Sequence, residues 1–144
     1  VGPKNEEYQN THFNKSFENK LIQVHLLGPA KNQDLYKYYS AADIAVFPKQ
    51  NTLSALDAQA CGLPVVMESD ETNEERLKEG GLCYEPGNVA DLAAQILKLL
   101  KDDQLVKSLS DNGQKYMHER YNYQKKMMDI QEMLIQRYEE TLKA

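Results

Sequence analysis

The densest chemistry in this chain lies between Lys49 and Asp57, in the run Lys-Gln-Asn-Thr-Leu-Ser-Ala-Leu-Asp. The backbone N–H groups of Asn51, Thr52, Leu53 and Ser54 fall where a helix should begin. The first turn of a helix leaves such groups unbonded, and they suit a phosphate. Lys49 adds a cation just ahead of them. Asp57 follows about one turn into the helix, and the two oxygens of a carboxylate suit the vicinal diol of a ribose. Anion first and diol-binding acid next is the chemistry of holding a nucleotide. The same residues also suit plainer work: Thr52 or Ser54 as an N-cap, Asp57 as an acid facing the helix dipole, Lys49 as a solvated loop cation.

The elements that must position these groups are legible around them. An apolar strand, Ile44 to Phe47, runs into Pro48 and a polar loop. A short helix, Leu53 to Ala60, stops at Cys61-Gly62, where glycine can take the positive φ that ends a helix. Leu63-Pro64 launches a second strand, Val65 to Met67. This is a β-loop-α-β unit of a parallel sheet. Upstream, Leu21 to Gly28 reads as a buried strand, with Gly28, Pro29 and Ala30 as its βα turn. His25 in that strand reads as a structural, at least partly buried histidine. Asn32 to Ala42 reads as a helix capped by Asn32, with Leu35, Tyr38 and Tyr39 packed on one face. A helical turn near Tyr8 to Phe17 is also expected.

Downstream, Thr72 to Glu79 reads as a charged helix ended by Gly80-Gly81, and Leu82 to Tyr84 as a last short strand. Asn88 caps a strongly periodic helix from Val89 to Lys101, with Leu92, Ile96, Leu99 and Leu100 inward. Asp102-Asp103 starts another helix, which ends near Tyr121. A final helix covers about Gln124 to Leu142, with Met127, Met128, Met133 and Leu134 as a packed face. Strand and helix alternate with few hairpin signals, so the fold class is α/β: a Rossmann-like parallel sheet flanked by helices, with C-terminal helices.

At 144 residues the chain can bury a real core, and its net charge of −5 argues against a nucleic-acid surface. No apolar run approaches the roughly 20 residues of a membrane span. Cys61 and Cys83 lack a metal-ligand spacing and read as reduced thiols in core segments, which fits a cytoplasmic protein. His12 and His118 have no catalytic partner pattern. The chain opens on Val1-Gly2, which reads as the last two residues of a strand begun upstream, followed by Pro3.

Several motifs in order carry a resemblance. They are Leu26-Leu27-Gly28, Ala41-Ala42-Asp43, the run Ala58-Gln59-Ala60-Cys61-Gly62-Leu63-Pro64-Val65-Val66, and Gly81-Leu82-Cys83-Tyr84-Glu85-Pro86-Gly87 before a helix. Together, over about residues 22 to 121, they resemble the C-terminal, nucleotide-sugar-binding domain of retaining glycosyltransferases of the two-Rossmann-domain (GT-B) architecture, family 4. The resemblance implies one half of a GT-B fold: residues 1–144 as a single donor-binding domain, N-terminally truncated, with the acceptor-binding domain of the same protein as partner. The full-length protein would then be an enzyme moving a sugar from a nucleoside diphosphate sugar to an acceptor hydroxyl. It would work in the cytoplasm or at the inner face of the membrane, without a metal or other cofactor. The fragment alone would be inactive, and the catalytic residues are not assigned.

The resemblance places Asp57 on the ribose, and brings the loop of Gly28 and Pro29 to the nucleobase. It also implies that the last helix crosses back to the other domain. Lys49 stands where the family has its first motif glutamate, so the charge there is reversed. Gln50, Asn51 and Thr52 replace a Gly-Phe-Gly loop, which leaves the backbone less free to approach a diphosphate. Two other readings follow: a diverged, non-catalytic nucleotide-sugar-binding module, and an unrelated flavodoxin-like α/β domain.

Overall fold

A computed structural model of the chain describes residues 23–49 and 52–143. Leu21, Ile22, Asn51 and the turn expected near Tyr8 to Phe17 lie outside the described residues. The chain divides into two compact units, residues 1–37 and 38–144.

The second unit is built on three parallel strands: β1 (Ala45–Phe47), β2 (Val65–Glu68) and β3 (Gly81–Tyr84), side by side in that order. Ala45 stands opposite Val65, and Val65 opposite Gly81. Side chains alternate across the sheet, as the pleat requires. Val65 and Met67 face one core with Ala45, Ala55, Ala58, Leu63 and Leu77. Val66 and Tyr84 face the other with Leu99 and Leu109. The first face is covered by α2 (Ser54–Ala60) and α3 (Glu71–Leu77), the second by α4 (Val89–Lys101) and the start of α5 (Asp103–Arg120). Each Val, Leu or Met side chain buried this way contributes about 1.5–3 kcal/mol, which is why both faces of a parallel sheet need covering.

Local chemistry sets the helix ends. The α2 helix closes as a Schellman turn: Leu63 N–H donates to the Ala58 carbonyl at 3.0 Å and Gly62 N–H to the Gln59 carbonyl at 2.9 Å, with Gly62 at φ +84°. The carboxylate of Asp70 accepts the Asn73 N–H at 2.7 Å and caps α3. Asn88 caps α4 through the Asp91 N–H, and Asp102 caps α5 through the Leu105 N–H. Such caps contribute about 1 kcal/mol each.

Several expectations are corrected. Residues 23–30 carry no strand, and Val24, Leu26, Leu27 and His25 are exposed. An apolar run becomes a buried strand only where a ladder and a cover receive it, and among the described residues no strand pairs with this one. The helix expected over Asn32 to Ala42 is shorter: a 3-10 turn, Asn32–Asp34, runs into α1 (Leu35–Tyr39). Its N-cap is Lys31 rather than Asn32, with no side-chain cap bond. Tyr39 packs against the first core, whereas Tyr36 and Tyr38 are exposed. Leu100 is exposed, because Leu92, Ile96 and Leu99 already fill the inward stripe of α4. Cys61 and Cys83 are half-buried rather than sealed in the core. The last helix, α6 (Tyr123–Lys143), does not present a packed face: every side chain from 123 to 142 is exposed.

Candidate functional site

The chain leaves β1 through Pro48 and Lys49, and Lys49 takes a left-handed backbone, φ +54°. For a side chain of this size that conformation is uncommon and needs support. The Lys49 N–H donates to the Tyr84 hydroxyl at 3.2 Å. That hydroxyl in turn donates to Glu68 Oε2 at 3.0 Å. The same carboxylate oxygen accepts the Gly87 N–H at 3.3 Å. One polar chain thus spans the carboxyl ends of all three strands, where ligands of open α/β sheets bind. Tyr84 is 3% exposed. Burial pushes its phenol pKa up, the bond from Lys49 N–H opposes this, and the Glu68 carboxylate adds to the rise.

At the start of α2 the expected phosphate cradle is partly used internally. Ser54 N–H donates to Thr52 Oγ1 at 3.2 Å. Ala55 N–H goes to the Thr52 carbonyl, and Leu56 and Asp57 N–H both go to the Leu53 carbonyl. The N-cap of α2 is Leu53, without a side-chain cap bond, so neither Thr52 nor Ser54 takes the capping role that the sequence also allowed; the Thr52 hydroxyl instead closes a local turn onto the Ser54 N–H. Leu53 itself is exposed. Asp57 is exposed too, and opens on a groove of about 520 Å³ between α2 and the second half of α5. Leu56, Gln114, Met117, His118 and Tyr121 line the same groove.

The structure therefore brings Lys49, Thr52, Leu53, Ser54 and Asp57 to one loop and helix start. Gly28, half-buried, and Pro29, exposed, belong to the first unit and sit in its irregular segment. Sequence reading missed Glu68 and Tyr84. Their signal was faint: they are register partners at the ends of adjacent strands, which only the pairing reveals. It also missed the groove side of α5, although Gln114, Met117, His118 and Tyr121 recur at helical spacing.

Neither thiol is activated. Burial first, then the charge of Asp57, pushes Cys61 up; burial, then Glu74 and Asp70, does the same for Cys83. On α4 the carboxylate of Asp91 accepts the Glu85 N–H at 2.7 Å and a Gln95 Nε2 hydrogen at 3.0 Å, and these bonds hold its pKa down. No helix among the described residues is long and apolar enough to cross a membrane.

Comparison with known proteins adds to this geometry. Residues 1–116 match the family model described as glycosyl transferases group 1. Over 83 residues the chain is 34% identical to the O-antigen chain mannosyltransferase B of Escherichia coli, covering 56% of this chain and 22% of that protein. Over 88 residues it is 36% identical to the D-inositol 3-phosphate glycosyltransferase of Geodermatophilus obscurus, covering 58% of this chain and 20% of that protein. Among solved structures, it is similar to the sucrose-phosphate synthase of Thermosynechococcus elongatus, with a TM-score of 0.69 and 26% identity over 80% of this chain and 30% of that one. The chain thus spans 20–30% of the length of these three proteins.

Proposed function

The chain belongs to the glycosyl transferases group 1 family, and on that premise we propose that it is the nucleotide-sugar donor-binding domain of a retaining, GT-B glycosyltransferase. The observation that carries this reading is Asp57: an exposed carboxylate one turn into α2, open to a groove and following the loop that leaves a parallel strand. In this role Asp57 accepts hydrogen bonds from the ribose diol, while Lys49 and the N–H groups ahead of Ser54 meet the diphosphate. Negative charge grows on that diphosphate as the sugar departs, and fixed donors beside it lower the barrier. The full-length protein would move the sugar to an acceptor hydroxyl in the cytoplasm, with the acceptor held by another domain and no metal required.

Calorimetry with uridine and guanosine diphosphates tests the donor role. Loss of a charge-assisted hydrogen bond costs roughly 1.5–3 kcal/mol, about ten- to a hundredfold in affinity. Asp57→Ala should weaken binding by that factor, and Asp129→Ala, exposed on α6, should not. Equal affinity of Asp57→Ala and the parent would refute the ribose role. One observation favours a second reading, a nucleotide-sugar-binding module without transfer: a lysine, not an acid, occupies the strand-end turn at position 49. Sugar transfer by the full-length protein would exclude it.

A further inference from the structure

Resting on the donor-site reading above, we propose that Tyr84, backed by Glu68, is a positioning residue for that site, acting through Lys49. A lysine at φ +54° is held against its own preference, and a strained turn persists only where its surroundings over-determine it. Here the determinant is identifiable. The Lys49 N–H has its partner in a phenol hydroxyl 35 residues away in sequence. That phenol is buried, so its own position is fixed by the packing of Val66, Leu99 and Leu109 around it. Its hydroxyl hydrogen is committed to Glu68, which leaves the oxygen free to accept from Lys49. Glu68 is itself held by the Gly87 N–H from the turn that follows β3.

The direction of the chain is what makes this a device rather than simple packing. Each donor has one acceptor available in the sequence Lys49 N–H to Tyr84 O–H to Glu68 carboxylate. Removal of the phenol oxygen breaks both links at once and leaves the apolar packing of the ring intact. The turn that carries Lys49 then loses the bond that fixes its left-handed backbone, while the sheet beneath it does not change. A purely structural tyrosine would behave otherwise: its loss would be felt in the core strands and not at Lys49.

Tyr84→Phe in the 144-residue chain separates the two. Amide hydrogen exchange, read by NMR, should accelerate at Lys49 by about tenfold or more, with Val66 and Leu99 amides unchanged. Affinity for uridine or guanosine diphosphate, by calorimetry, should fall about three- to tenfold, in line with one lost hydrogen bond. Glu68→Gln keeps an acceptor for the phenol and should match the parent in both readouts; Glu68→Ala should shift both in the direction of Tyr84→Phe. The Glu68 pair also decides the matter if Tyr84→Phe does not fold. Unchanged exchange at Lys49 in Tyr84→Phe and Glu68→Ala overturns the proposal. So does faster exchange at Lys49 with no loss of nucleotide affinity in a parent that binds. If the parent binds neither nucleotide, the donor reading fails on its own, and exchange at Lys49 alone decides whether Tyr84 sets that turn.

Discussion

Among the described residues two lysines have a positive φ, Lys49 at +54° and Lys78 at +41°. Each is supported by a partner far away in sequence. Lys49 is held by the Tyr84 hydroxyl, and the ammonium of Lys78 sits 5.2 Å from the centre of the Tyr116 ring. The glycine-free run Lys-Gln-Asn-Thr reads as a stiff loop, and it is the tertiary partner, invisible in local sequence, that bends it at Lys49. The place of Asp57 on the first turn of α2 was legible because it depends on helix position alone; the bond of Tyr84 to Lys49 was not, because it depends on register. The same phenol predicts a pH dependence. Burial raises the pKa of Tyr84 and of Tyr121, while an unfolded phenol ionises near pH 10. A raised folded pKa means that the fold favours the protonated form. The stability this contributes is complete below about pH 10 and is lost as pH rises through the folded pKa. Cys61 and Cys83 act in the same direction from about pH 8.5 upward. Urea midpoints between pH 8 and 11 should therefore fall, and more shallowly in Tyr84→Phe than in the parent. Parallel curves would show that the Tyr84 phenol is not part of the effect.

At the scale of elements, what the sequence specifies locally it specifies well. The bounds of α4 follow from Asn88 and Asp102, whose side chains bond the first N–H groups of α4 and α5. The end of α2 follows from Gly62. What depends on a neighbour is less legible. The run Leu21 to Gly28 has the composition of a buried strand, but composition does not supply a ladder. Spacing alone also put Leu100 inward on α4. Close approach between elements is equally hidden. Gln59, fully buried on α2, donates through Nε2 to the Arg76 carbonyl at 3.1 Å, and its amide oxygen lies against Gly80. A Cβ at Gly80 would collide with that oxygen and stand 2.6 Å from Gly113 Cα. Backbone on one side and a locked amide on the other leave no room to yield. Gly80→Ala should destabilise the chain by about 1–3 kcal/mol in urea unfolding. A change below about 0.5 kcal/mol would mean that α5 can move away from β3 at little cost.

At the scale of the whole second unit, the sheet is already closed without its last helix. The α2 and α3 helices cover one face, α4 and the start of α5 cover the other, and Met67, Val66 and Leu99 are sealed between them. The side chains of α6 from 123 to 142 are all exposed and enter neither core. An apolar stripe with Met127, Leu134, Tyr138 and Leu142 therefore remains uncovered. Helix propensity alone sustains such a helix weakly. A chain ending at Asn122 retains Tyr121 and the groove beside Asp57. It should unfold within about 0.5 kcal/mol of the parent, the range expected for changes that leave buried groups untouched. It should also lose far-ultraviolet helical signal and keep the parent's affinity for nucleoside diphosphate. A loss of 2 kcal/mol or more would show that α6 covers apolar surface of this unit, and that the stripe is core rather than an uncommitted face.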